Sequence, residues 1–175
     1  MNRIAASLLL VAAVVPAGDV IARSSDRNQA MDVIANSSDC RMVDNAPCIL
    51  TGNVEIKQGT LDIRAARADF TIRDGDIRVA QLTGSPVRMT QELDDGGRMN
   101  ATASRIDYDL AQDTIVLTGS ASIQQPGQGS IASERIVYNT RTGQIQGGGG
   151  DSNSRVRLQF QPRNRPDAPA GSGND

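Results

Sequence analysis

The chain has 175 residues, a formal net charge of −2, no histidine and no tryptophan. The missing imidazole excludes Ser-His and Cys-His nucleophile pairs and histidine-held zinc, and the near-neutral balance points to neither nucleic acid nor an acidic membrane surface. Length fits one domain with tails.

Residues 1–22 have the pattern of a secretory signal peptide: Arg3, an apolar run from Ile4 to Val15, Pro16, then Val20-Ile21-Ala22. That run falls short of the roughly 20 residues that span a bilayer. Cleavage is expected after Ala22, with Ala17 the second candidate, and an uncleaved anchor is the alternative. Residues 23–161 then form the domain, and residues 162–175, rich in Pro, Gly, Asn and Asp, are expected to be a disordered tail.

Residues 23–30 are polar and are expected to order only on docking. Met31, Val33 and Ala35 alternate on one face of a first strand over 31–35, placed to lie at a sheet edge. Cys40 and Cys48 flank a turn, Val43-Asp44-Asn45-Ala46-Pro47, and export allows them to pair. A disulfide is expected; two reduced, buried thiols are the alternative. A second strand covers 49–57, Gln58-Gly59 turns the chain, and Leu61, Ile63 and Ala65 resume the alternation.

From here the sequence repeats itself. Arg67-Ala68-Asp69-Phe70 returns as Arg105-Ile106-Asp107-Tyr108 and as Arg135-Ile136-Val137-Tyr138, and seven residues after each aromatic stands Ile77, Ile115 or Ile145. Leu50-Thr51-Gly52-Asn53 likewise returns as Leu82-Thr83-Gly84-Ser85 and Leu117-Thr118-Gly119-Ser120. Self-similarity of this kind marks a fold built from a repeated hairpin. Cys40 takes the aromatic's place in an earlier copy, and Cys48 stands near the isoleucine's, eight residues on rather than seven. In every repeat the apolar parity breaks by a five-residue step, Ile63 to Ala68, Ala101 to Ile106, Ile131 to Ile136. A fixed break predicts a bulge or corner where each strand passes from one sheet to a second facing it.

Further strands are expected over 76–82, 86–93, 98–103, 114–117, 120–124, 130–138, 144–146 and 155–161, separated by turns at Asp74-Gly75, Gly96-Gly97, Pro126-Gly127 and Thr142-Gly143. Residues 147–150, four glycines, read as a flexible loop without the spacing of a phosphate loop. The class is all-β. Four aromatics, Phe70, Tyr108, Tyr138 and Phe160, leave an aliphatic interior. Composition does not decide between a close-packed core and a partly open groove.

Chemistry-bearing groups are sparse. Asp74 with Asp76, and Asp94 with Asp95, sit at turns and lack the ligand spacing of a calcium loop. A glycosidase would need a carboxylate pair in a cleft. Arg67, Arg105 and Arg135 recur at the corners, where they either solvate a bend or form a ladder for anions. Lys57 is the only lysine among 18 basic residues.

The blocks LTGNVEIKQGTLDIRAARADF, GSPVRMTQ, ASRIDYDLAQDTIVLTGSASIQQ and IASERIVYNTRTGQIQG, in that order, resemble the LptA (OstA-like) family of periplasmic lipopolysaccharide-transport proteins over residues 26–160. The resemblance implies a slightly twisted, partly open β-jelly roll of antiparallel hairpins whose interior holds the acyl chains of lipid A. The positions matching the family's lipid-facing residues are Met31 and Val33, after Gln29-Ala30 where the family has Gln-Pro, then Met89, and Tyr108 with Leu110. It further implies a non-enzymatic periplasmic bridge without cofactors, stacking head to tail between LptC at the inner membrane and LptD at the outer membrane. A domain like LptC or LptD, a structural β-repeat with a sealed core, and a carbohydrate hydrolase are the alternatives.

Overall fold

The computed structural model describes residues 25–41, 43, 45–148 and 155–162. The expected signal peptide and all but the first residue of the expected tail lie outside the described residues. Ten strands follow a short 3-10 turn at Asp26–Asn28: β1 (Met31–Ile34), β2 (Ser37–Cys40), β3 (Pro47–Gln58), β4 (Leu61–Arg73), β5 (Asp76–Glu92), β6 (Arg98–Asp109), β7 (Thr114–Gln125), β8 (Gly129–Asn139), β9 (Ile145–Gly147) and β10 (Arg157–Phe160). All pairings are antiparallel, in the order β1-β3-β4-β5-β6-β7-β8-β10, with β2 on β3 and β9 on β8.

The expectation of two sheets is corrected: this is one hydrogen-bonded sheet folded along a line of bulges. The ladder slips between Thr51 and Val54 on β3, Arg64 and Arg67 on β4, Thr83 and Val87 on β5, Thr102 and Arg105 on β6, and Thr118 and Ala121 on β7. On β4, β5 and β6 these are the places where the apolar parity breaks, whereas on β3 and β7 the parity is kept, with Leu50 and Val54, and Leu117 and Ala121, all buried. A bulge adds residues to one strand, bends it, and turns the next side chain back to the concave face. The predicted pairs 76–82 with 86–93, and 114–117 with 120–124, are therefore single strands running through the corner.

The Leu-Thr-Gly repeats build two of the corners alike. Gly52 and Asn53 have φ of 76° and 47°, and Gly119 and Ser120 have 81° and 49°. Successive left-handed residues turn the strand without ending it, and glycine takes that conformation without the Cβ penalty. Space adds a second reason, since a Cβ on Gly52 would stand 2.9 Å from Asn36 Nδ2.

Beyond the bulges the sheet forms two layers, joined at the corner line and separated at the hairpin ends. One layer has β1, β10 and the corner-to-turn halves around Gln58-Gly59, Asp94–Gly97 and Gln125–Gln128; the other has β2, β9 and the halves around Asp74-Gly75, Leu110–Asp113 and Asn139–Gly143. A single apolar cluster fills the space between them, with Val54, Ile56 and Ile63 from one layer and Phe70, Leu82 and Ile106 from the other. The outer ends of the order, β1 and β10, do not pair with each other, so the sheet is unclosed.

Local expectations fare unevenly. Tyr108 opposes Ile115 and Tyr138 opposes Ile145, but Phe70 opposes Ala80, because a slip between Thr71 and Ile72 sets Ile77 against Ile72 instead. Gly147 belongs to β9, pairing with Ile136, and is not part of a loop. The first residues dock onto the sheet: Asp26 is buried, accepts the hydroxyl of Thr60, and packs over Gly59.

Candidate functional site

Alternate residues of each strand face the interior, and antiparallel register lines them into rows that cross every strand. In one layer the row reads Val33, Ile56, Ile63, Met89, Ala101, Ile123, Ile131, Leu158. In the facing layer it reads Cys40, Cys48, Phe70, Ala80, Tyr108, Ile115, Tyr138, Ile145. A third row, Leu50, Ala68, Leu82, Ile106, Leu117, Ile136, follows the corner. The interior is thus an aliphatic strip running perpendicular to the strands, from one open sheet edge to the other.

Its centre is filled. Met89 is 1% and Tyr108 3% exposed. Tyr138 is 1% exposed and donates across the layers to Gln91 Oε1 at 3.5 Å, while burial pushes its phenol up to about 12, with smaller contributions from Tyr108 and Asp94. At both ends the strip opens. Near β1 a cavity of ≈ 420 Å³ lies between the layers, lined by Met31, Gln58, Ile77, Arg78, Leu110 and Ala111 among others. Near β10 a second, of ≈ 450 Å³, has Ile123, Ile131, Ile145, Leu158 and Phe160 in its wall.

The five positions matched to lipid contact therefore fall in different settings. Met31 and Leu110, from opposite layers, share the first cavity; Val33 lies half-buried in the same row as Met89; and Met89 and Tyr108 are sealed in the core. Leu110 lies just past the end of β6, held by its N–H to Arg78 O at 2.9 Å. Gln58, Ile77, Arg78 and Ala111 were missed by sequence reasoning. Ile77 stood out only as a repeat partner, and Arg78 stands at the bulge between Ile77 and Val79, where alternation gives no reading.

Cys40 and Cys48 oppose each other across β2 and β3 and form a disulfide, with Cα atoms 3.9 Å apart. The extra residue between them is taken up in the turn. Arg67 and Arg105 each hold the carboxylate two residues on, Asp69 and Asp107, with nitrogen–oxygen distances down to 2.6 Å. Both guanidiniums are held more firmly protonated, chiefly by those hydrogen bonds. Two of the three repeated arginines thus pair within their own strand. The turn aspartates also have local work: Asp95 accepts Gly97 N–H at 2.8 Å, and Asp74 pairs with Arg78 at 3.3 Å.

Known proteins resemble this chain in sequence and in fold. The family described as "LptA/(LptD N-terminal domain) LPS transport protein" matches residues 32–144, which take in Val33, Met89, Tyr108 and Leu110. The chain belongs to this family. The lipopolysaccharide export system protein LptA of Escherichia coli (strain K12) is 32% identical over 148 residues, covering 83% of this chain and 77% of the relative. That of Haemophilus influenzae is 27% identical over 158 residues, 89% and 90% of the two chains. LptH, described as the LptA homologous periplasmic component of the lipopolysaccharide transport device from Pseudomonas aeruginosa, superposes with a TM-score of 0.72 at 23% identity, over 79% of this chain and 99% of its own. That likeness establishes the shared LptA-type fold.

Proposed function

We propose that this protein is a periplasmic carrier of lipopolysaccharide that holds the acyl chains of lipid A between its two layers while sugars and phosphates stay in water along the open side. The observation that carries the reading is the continuity of the apolar rows from β1 to β10 and β2 to β9. Each methylene moved out of water is worth about 0.8 kcal/mol, so a multi-acyl lipid needs an unbroken apolar path to cross an aqueous space at a useful rate. Rows that end at unpaired strand edges allow that path to continue into a neighbour.

Entry begins at the cavity holding Met31 and Leu110, where an acyl chain meets apolar side chains before it reaches the filled centre. Advance past Val33 toward Met89 and Tyr108 requires the layers to part, which aliphatic contacts permit at modest cost, and methionine adapts to irregular chains. The path needs no chemical step and no cofactor. The edges at β1 and β10 present unpaired backbone groups suited to strand addition by LptC, LptD or further copies of this chain.

Binding of lipopolysaccharide to the purified mature protein tests the reading. Met31→Asp and Leu110→Asp place charge at a half-exposed mouth, so both variants are expected to fold and to lose binding at least about tenfold, since even one misplaced charge outweighs several methylenes. A wild-type protein that binds no lipopolysaccharide would sink the carrier reading in favour of a structural β-repeat.

A further inference from the structure

Arg78 is the one cationic residue among the described residues that line the first cavity. It is the unpaired residue of the bulge on β5, between Val79, which pairs with Thr71, and Ile77, which pairs with Ile72. The side chain lines the first cavity together with Met31, Ile77 and Leu110. One terminal nitrogen reaches Asp74, an exposed turn residue, at 3.3 Å, while Nε is buried and has no hydrogen-bond partner. Asp76 also borders the cavity but is exposed. A buried donor left unsatisfied costs free energy that an incoming acceptor recovers.

We infer that Arg78 is a headgroup anchor at this mouth: its guanidinium takes an anionic phosphate oxygen of an amphiphile whose apolar chain lies against Met31, Ile77 and Leu110. The fork geometry of arginine suits such an oxyanion. The apolar side chains supply affinity for any acyl chain, so Arg78 supplies the choice of headgroup. It also sets orientation, because the anionic end is held at the opening and the chain points inward. Asp74 competes for the same guanidinium, so its carboxylate tempers the affinity. This inference rests on the carrier reading and names the headgroup chemistry of that same site.

The experiment compares the full mature protein with Arg78→Gln, Arg78→Lys and Asp74→Asn, titrated with intact lipopolysaccharide, with the same material stripped of its phosphates, and with inorganic phosphate alone. Asp74 has a φ of 55°, which asparagine accepts, so Asp74→Asn leaves the turn intact. For intact lipopolysaccharide, Arg78→Gln is expected to weaken binding about tenfold, Arg78→Lys less, and Asp74→Asn to tighten it a few-fold. For the dephosphorylated lipid, Arg78→Gln and wild type are expected to bind alike. Inorganic phosphate at millimolar concentration is expected not to displace the lipid; full displacement would overturn the assignment to an amphiphile. If Arg78→Gln weakens both lipids equally, or neither, the anchor is wrong while the carrier reading stands. If wild type binds neither lipid, the carrier reading falls and the anchor with it. Thermal unfolding of each variant verifies that the fold is retained, and the Arg78→Lys arm separates loss of charge from loss of the fork.

Discussion

Gly119 on β7 lies so close to Ser104 on β6 that a Cβ at Gly119 would stand 2.8 Å from both Cβ and Oγ of the serine. With a φ of 81°, the position also disfavours any L side chain. Gly119→Ala is therefore expected to cost about 1–3 kcal/mol. Urea unfolding of Gly119→Ala, Ser104→Gly and the double variant separates the causes. A positive coupling reports the steric clash, and additive losses would assign the whole cost to backbone strain.

Met89 and Leu110 are both matched to lipid contact, yet their surroundings predict opposite phenotypes. Met89 is 1% exposed, so Met89→Ala should lose about 2–5 kcal/mol of stability through the cavity it leaves. Leu110, at the mouth, should lose under about 1 kcal/mol on truncation while weakening lipopolysaccharide binding. Denaturation curves and binding titrations on the same two preparations check the split.

The disulfide closes a loop of sequence separation 8. Chain-entropy reasoning gives about 2–3 kcal/mol for a loop of that size. Reductant should lower the urea midpoint accordingly, and amide exchange should speed up first in Ser37–Cys40, whose strand is held on one side only. Cys40→Ser/Cys48→Ser should reproduce the reduced protein; equal midpoints with and without reductant would contradict the estimate.

Tyr138 ties stability to alkaline pH. Burial raises its folded-state value from 10.0 to about 12, so the folded protein keeps a proton that the unfolded chain releases. The contribution is fully present below pH 10 and is lost as pH rises from there through about 12. The loss is on the order of 2–3 kcal/mol, from about 1.4 kcal/mol per pH unit. Tyr138→Phe should flatten the slope of the unfolding midpoint between pH 9 and 12, because phenylalanine does not titrate.

Much of this architecture could be read from residue order. The jump from Ile63 to Ala68 marks a bulge because side chains in a strand alternate strictly, and burial follows that jump in the structure. That each strand continues through its corner could not be read, because parity reports which face a residue takes and not which backbone groups stay paired. Ser37–Cys40 carried no signal as a strand: three of its residues are exposed, and β3 and the disulfide hold it in place. The seven-residue spacing misplaced Ile77 because the bulge after Thr71 has no counterpart in the other hairpins. Of the mouth, Met31 and Leu110 came from resemblance, while Arg78 escaped notice because it is the extra residue of that same bulge, where alternation fails.

The cross-strand rows also bear on how such a molecule changes size. Every hairpin adds two strands, about 10 Å of width, and extends all three rows together. A barrel must change strand number, tilt and shear in concert, whereas an unclosed, folded sheet gains or loses a hairpin without disturbing the rest. Length in this protein is a count of copied units, so a duplication within the coding sequence is enough to lengthen the strip, and a deletion of one Leu-Thr-Gly to aromatic segment is enough to shorten it.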